Sequence, residues 1–472
     1  MQAIRSFVPD FGTPLPRIRP EEAGVEAKWI EDMVDGFAAK GLRIHSFLLV
    51  KEGKVYAEGY YAPYAPKQFQ TVYSLSKSFT SAAMGIAQGE GILNLDEKLV
   101  DIFADEVKAA GIEPSEKMRA LTLRNCLRMS TGQAEEKRGV DFITTFLGNE
   151  QHEMPGEVFR YNTMATYMCS AALWKKGVDL EKYLQEKLFD PMGIHGLHWL
   201  RCSRGICTGG YGLSLLPEVI AKFGTLLLQD GQWEGKQLIP KEYLDLATTK
   251  QIDNAASSDN KDWKAGYGYQ FWMCQNGSFR GDGMYGQLCV VNRQKKAVAA
   301  VTAFVDDIQA ELDVYFDNVL SRMQPAPLPK DEAADQRLLA KLAALQAPVE
   351  QPFDDGGALP LGLLDKEYHQ GAHSLRLRAD GQALLATLDG RELRVERGPL
   401  QETQCLATGG WLNVVSGWKT NAYTGYGVRD GALVLRLLFI EEMTDLRIVI
   451  WPDGRLEACN VYDINNPKPL AD

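Results

Sequence analysis

Tyr73-Ser74-Leu75-Ser76-Lys77-Ser78-Phe79 is the stretch from which the rest of the chain is best read. The spacing predicts a helix from Ser74 to about Gln88, with Phe79, Ala82, Ala83, Ile86 and Ala87 as its apolar stripe. Ser74 and Lys77 stand three apart, so on a helix they share a face with Cβ atoms about 5–6 Å apart. A serine hydroxyl is a weak nucleophile until a base takes its proton, and a desolvated lysine is a base that can do so. The partial positive charge at a helix N-terminus favours anionic oxygen beside Ser74. One turn of helix could therefore supply nucleophile, base and part of an oxyanion site.

The Ser-x-x-Lys pattern occurs three times in the chain. Ser258-Asp259-Asn260-Lys261 lies in the polar run Asn254 to Lys261, which reads as a loop. Ser416-Gly417-Trp418-Lys419 lies in a Gly- and aromatic-rich β region. Only Ser74…Lys77 opens an amphipathic helix.

The chain has 472 residues, long enough for two or three domains, with 45% hydrophobic and 24% charged residues. A net charge of −11 leaves no basic excess to neutralise phosphates, which argues against nucleic acid as a bulk partner. The longest strongly apolar run, Ala297 to Val305, is too short to span a bilayer. Met1 to Phe11 has no apolar signal region, so a cytoplasmic location is expected. The eight cysteines form no CxxC pair and read as buried thiols. His195 and His198 lack acidic neighbours, and neither metal nor cofactor is expected. The expected partner is a small-molecule substrate. Oligomeric state is not readable.

Residues 21–40 read as a helix, followed by the hairpin His45 to Val50, turn Lys51-Glu52-Gly53-Lys54, and Val55 to Tyr61. Gly89 and Gly91 stop the Ser74 helix. Residues 92–250 are mainly helical. Met129-Ser130-Thr131-Gly132 lacks the first glycine of a nucleophile elbow and follows a helix, so Ser130 reads as a helix-end residue. Gly231 to Lys236 has the wrong spacing for a phosphate loop. Gly266 to Trp272 reads as a strand. Gly281-Asp282-Gly283-Met284-Tyr285-Gly286 matches GxGxxG literally, but strand, turn and strand follow it where a dinucleotide site needs a helix. Asp307 to Met323 reads as a terminal helix. Pro325, Pro327 and Pro329 mark a linker over 324–361 with one short helix. Residues 362–472 alternate in period two between Asp-Gly turns, which predicts a small antiparallel meander or barrel.

This order of elements resembles the serine β-lactamase and penicillin-binding-protein superfamily, closest to its class C and esterase branch. The resemblance covers roughly residues 20–323. Tyr73 to Thr80 looks like the nucleophile segment. Pro155-Gly156 with Phe159-Arg160-Tyr161-Asn162-Thr163 looks like the second motif. Gly210 to Ser214 with Ala221 to Gly224 is similar to a stretch between motifs two and three. Gly281-Asp282-Gly283 with Gly286-Gln287 sits where the third motif belongs. The resemblance implies an α/β (α+β) fold: an antiparallel sheet flanked by helices over 1–323, an all-helical insert over about 92–250, and a C-terminal β domain appended to it.

It also implies roles. Ser74 would attack a carbonyl and form an acyl-enzyme, Lys77 would hold or take the proton, and Tyr161 would shuttle it to the leaving group. The oxyanion would sit between the backbone N–H groups of Ser74 and Met284. Asn162, Thr163, Asp282, Gly283 and Gln287 would border the substrate. Lysine and tyrosine titrate near 10.4 and 10 when free, so either needs a fall of about three pH units to act as a base near neutrality. Both assignments stay open. Two departures bear on substrate. Thr163 stands where β-lactam-processing members carry asparagine, and Gly281-Asp282 replaces a motif that begins with a carboxylate-binding lysine or histidine. An acidic residue there would repel a carboxylate. The expectation is an esterase or amidase for substrates lacking that carboxylate, cationic ones included. The alternatives are a β-lactamase or D-amino-acid peptidase, and a catalytically silent sensor of the same fold.

Overall fold

The computed structural model describes residues 10–347, 352–370, 373–406, 419–441, 444–460 and 468–469. Residues 1–9, Ser416 of the third serine–lysine pair and the side chain of Cys405 lie outside them. The chain divides into two compact units: Pro9–Lys67 with Val72–Gln346, and a second built from Gln68–Thr71 and the residues after 346.

The larger unit opens with helix α1 (Ala27–Ala39), which buries Ile30, Met33, Val34 and Phe37 at helical spacing. Strands β1 (Arg43–Lys51) and β2 (Lys54–Tyr60) follow. Their two-residue turn puts Glu52 and Gly53 at positive φ, the twist a tight hairpin needs. After helices α2 (Ser76–Gly89), α3 (Thr163–Lys175) and α4 (Pro217–Leu228) come β3 (Trp272–Met273), β4 (Phe279–Gly283), β5 (Gln287–Asn292) and β6 (Ala297–Phe304). The six strands form one sheet in the order β2-β1-β6-β5-β4-β3, antiparallel at every pairing. Every residue of β6 is buried, as is all of β1 but its last, so both sheet faces are covered in the middle. Helix α4 packs across β1, β5 and β6. Gly224 permits that approach, since a Cβ there would stand 2.4 Å from Val298 Cγ1.

Helix α2 departs from the one-sided burial its stripe implied. Every residue from Ser76 to Ala87 is buried. Its hydroxyls are satisfied by loop carbonyls: Ser78 donates to Gln270 (2.9 Å), Thr80 to Gly209 (2.8 Å) and Ser81 to Tyr269 (2.7 Å). The same contacts explain why Gly266 to Phe271 is a loop and not the expected strand. Gln270 takes φ +68°, and the backbone N–H of Tyr269 donates to Ala247, away from any sheet partner.

Helix α5 (Ile308–Tyr315) continues as a π-turn over Phe316–Leu320 and packs on α1. Helix α6 (Glu332–Ala343), which lies in the stretch read as linker, packs on α1 and β2 and buries Leu338. Among the described residues no helix is long and apolar enough to cross a membrane.

The second unit is a run of antiparallel strands paired in sequence order. One four-stranded sheet spans β7 (Glu367–Gln370), β8 (His373–Asp380), β9 (Ala383–Leu388) and β10 (Arg391–Val395). A six-stranded sheet runs from β11 (Gln401–Leu406) through β12 (Lys419–Arg429), β13 (Ala432–Phe439), β14 (Thr444–Ile450) and β15 (Leu456–Asn460) to β16 (Lys468–Pro469). Leu375, Leu377 and Leu384 of the first sheet share one core with Leu433, Leu435 and Ile448 of the second. Asp389-Gly390 and Asp430-Gly431 hold positive φ at both positions, as two-residue hairpin turns require.

Candidate active site

Ser74 lies in a single 3-10 turn, Tyr73–Leu75, and α2 begins two residues later than the expected Ser74. Tyr73 is held at φ +46°, a conformation uncommon for a bulky non-glycine residue. The Lys77 amine reaches back one turn and donates to Ser74 Oγ (3.0 Å). It also donates to the Gly210 carbonyl (2.7 Å) and to Thr163 Oγ1 (3.3 Å). Gly210 must be glycine, because a Cβ would meet the Thr163 side chain at 2.7 Å and its carbonyl at 2.8 Å.

Tyr161 closes the other side. The Lys77 amine sits 4.9 Å from its ring centroid. The ring stacks on Trp272 and stays 37% exposed to the cleft, while its hydroxyl end is desolvated and interacts with Ser74. Burial pushes the phenol well above its ordinary value, and the Ser74 contact pulls it only partly back. Lys77 moves the opposite way. It is 1% exposed, and burial lowers it to about 7, against an upward pull from Glu136, a downward one from Arg138 and an upward one from Asp282. Of the two candidate bases, the lysine is the one poised near neutral pH.

Strand β4 presses directly on the Ser74 turn. A Cβ on Gly281 would stand 2.3 Å from Leu75 Cδ1, and one on Gly283 would stand 2.2 Å from the Val72 carbonyl oxygen. Gly283 therefore meets backbone, not substrate. Gly283→Ala is expected to push the strand off the Ser74 turn, lower the melting temperature and reduce activity about 10²-fold or more, since small displacements at a reacting centre are expensive. Thermal denaturation with a parallel ester assay checks this. An alanine variant with wild-type activity would mean that the close approach has no bearing on the site.

Met284 follows β4 at the cleft mouth with 55% exposure. Tyr285 (φ +65°) and Gly286 (φ +87°) complete the turn into β5. Gln287 is fully buried, and its amide donates to the carbonyls of Ala303 (2.6 Å), Met284 (3.3 Å) and Tyr285 (3.3 Å). It braces the turn and is not among the residues lining the cleft, where it was expected to border substrate. Asn162 is likewise buried. Its Oδ1 caps α3 by accepting from Met164 and Ala165, and its Nδ2 donates to Gln133. Behind the turn, Glu311 on α5 is buried with neither carboxyl oxygen hydrogen-bonded among the described residues. A Cβ on Gly286 would stand 2.2 Å from its Oε2, and burial, then Asp282, push this carboxyl well above the usual range.

Asp282 does border the cleft, but its charge is not free. Arg280, fully buried over the Trp263 ring, donates to it at 2.9 Å. Burial raises this carboxyl, and Arg280 and Lys77 offset part of the rise. The cleft, about 980 Å³, is lined by Ser74, Tyr161, Asp282 and Met284 with Phe159, Trp263 and Trp272. Among the described residues one arginine, Arg160, lines it and is paired with Glu153 at 2.5 Å. The structure thus gathers Ser74, Tyr161, Asp282 and Met284 around one cleft, sets Lys77 and Thr163 in a hydrogen-bonded chain beneath Ser74, and places Asn162, Gly283 and Gln287 off the cleft lining.

Two residues escaped the reading of the sequence. Glu136 accepts from the Thr163 backbone N–H at 2.5 Å, and Arg280 neutralises Asp282. Glu136 lies in Ala134-Glu135-Glu136-Lys137-Arg138, a run that looks like any solvated loop. Arg280 carried one signal: it stands two residues from Asp282 on a strand, hence on the same face.

A family model described as Beta-lactamase matches residues 29–310, more than half of the chain. Among solved structures the fold is similar to a Bacillus anthracis protein provisionally named a 6-aminohexanoate-dimer hydrolase, at 18% identity and TM-score 0.51 over 66% of this chain and 87% of that one. A provisionally named beta-lactamase from Bacteroides dorei DSM 17855 aligns at 16% identity and TM-score 0.52, over 62% of this chain and 97% of that one. A penicillin-binding protein homolog from Caulobacter crescentus aligns at 13% identity and TM-score 0.51, over 65% and 100%. No curated protein sequence matches at a significant level.

Proposed function

The chain belongs to the beta-lactamase family, and we propose that it is a serine hydrolase acting through an acyl-enzyme on Ser74, with small esters or amides as substrates. The observation that carries this reading is the 3.0 Å contact between Ser74 Oγ and a Lys77 amine that burial brings to about 7. Lys77 takes the hydroxyl proton as Ser74 Oγ bonds to the carbonyl carbon. The developing oxyanion is received by the N–H groups of Ser74 and Met284. The proton then passes by way of the Tyr161 hydroxyl to the leaving group as its bond to the acyl carbon breaks. Water repeats the sequence in the second half, releasing the acid and restoring Ser74.

The lining of the cleft supports substrates without a carboxylate. Gly281 supplies no cation, and Arg160 is engaged by Glu153. The pairing of Asp282 with Arg280 removes the basis for expecting a preference for cations. Aromatic walls favour apolar groups. The expected result is a kcat/KM for p-nitrophenyl acetate or a longer aryl ester at least about 10²-fold above that for nitrocefin, the discrimination an unmet polar group imposes. Comparable turnover of nitrocefin would overturn the assignment in favour of a β-lactamase.

A further inference from the structure

Two carboxylates of the same design act on the charge of Lys77. Asp282 is paired with Arg280 at 2.9 Å and Glu136 with Arg138 at 2.6 Å, each partner two residues away in sequence. The two pairs differ in setting. Arg280 is wholly buried, with the Asp282 side chain 9% exposed, whereas Arg138 is 53% exposed and Glu136 22%. Glu136 also has a structural link to the reacting groups. Its Oε2 accepts from the Thr163 N–H, and the Thr163 hydroxyl receives the Lys77 amine. Arg138 meanwhile lies 5.5 Å from the Tyr211 ring centroid, next to the Gly210 carbonyl that holds Lys77.

We propose that Glu136 is a positioning residue of this site: its carboxylate anchors Thr163 against Lys77 and, balanced by Arg138, sets the charge that Lys77 carries. The proposal rests on the serine hydrolase reading for its kinetic consequence but not for its electrostatic one. The charged groups acting on Lys77 are Glu136, Arg138 and Asp282, in that order. Asp282 and Glu136 both act on Tyr161 in the same sense, disfavouring a phenolate. A negative Glu136 favours the ammonium form of Lys77, so its removal lets the neutral amine persist to lower pH. Loss of Arg138 works in the opposite direction.

The test uses Glu136→Gln, which keeps an oxygen for the Thr163 N–H and removes only the charge. The rate of Ser74 labelling by a fluorophosphonate is followed from pH 5 to 9. Its acid limb is expected to move down by about one pH unit in Glu136→Gln and up by a smaller amount in Arg138→Met, with Glu136→Asp returning toward wild type. A lower plateau with an unmoved midpoint in Glu136→Gln would reduce Glu136 to a structural brace and overturn the proposal. Carbon-13 NMR of ε-labelled lysine, with the Lys77 signal assigned by Lys77→Arg, reads the same midpoint without catalysis. If the probe fails to react with Ser74, the hydrolase reading fails, and a downward NMR shift in Glu136→Gln still sustains the role of Glu136. An unchanged NMR midpoint overturns it.

Discussion

Ser74→Ala is expected to lower kcat for an aryl ester by about 10⁴-fold or more, with KM changed only a few-fold. In the proposed mechanism the oxygen removed is the atom that forms the covalent bond. The groups around it cannot substitute. Ser76, two residues on, is buried, and its hydroxyl donates to the Tyr73 carbonyl at 2.5 Å. Ser130 is buried beside Arg128, outside the cleft lining. The turn should persist, because β4 approaches it most closely at Leu75 and the Val72 carbonyl, not at the Ser74 side chain. Binding and stability should therefore survive while chemistry is lost. A variant retaining a tenth of wild-type activity would move the nucleophile elsewhere.

Lys77→Met is expected to cost about 10³-fold or more in kcat/KM near pH 8, the range assigned to a general base, and to abolish the acid limb expected of wild type near pH 7. It is also expected to stabilise the fold in acid. In the folded protein Lys77 sits at about 7, below its unfolded value of 10.5. Between these two values the unfolded chain binds more protons, so wild-type stability rises with pH through that window. Below about 7 the fold carries the full burden of a buried ammonium. Methionine fills the space without charge, and its advantage should be about 1–3 kcal/mol at pH 6 after loss of the bond to the Gly210 carbonyl, shrinking toward pH 10. Urea denaturation at both pH values measures it. A Lys77→Met protein less stable than wild type at pH 6 would mean that Lys77 is not strained by burial.

These expectations show which layers of the molecule can be read before folding. The β1–β2 hairpin was legible because Glu52-Gly53 can adopt the required positive φ between two apolar runs. The strand expected after Gly281 to Gly286 is there: β5 and not a helix follows. Asp389-Gly390 and Asp430-Gly431 of the C-terminal unit were legible for the same backbone reason. Residue type alone, however, does not name a partner. Asn162 and Gln287 carry amides that suit substrate or protein partners equally, and the fold spends Gln287 on backbone and Asn162 on backbone and Gln133. The hydroxyls of α2 read as a polar face because a sequence does not show the loop carbonyls that bury them. Asp282 read as a bare charge because the importance of Arg280 emerges only once β4 is in place. Glu136 had no periodic, glycine or spacing signal at all. Its position beside Thr163 comes from a loop folding back across 27 residues.

The most direct measurement is acid quench during steady turnover of a p-nitrophenyl ester, followed by trypsin digestion and mass spectrometry. Cleavage after Lys67 and Lys77 isolates Ser74 on the peptide Gln68–Lys77. One acyl group is expected on that peptide, fragmenting to Ser74, and none in Ser74→Ala. Turnover with the peptide unmodified and the acyl group on another residue would contradict Ser74 as the nucleophile.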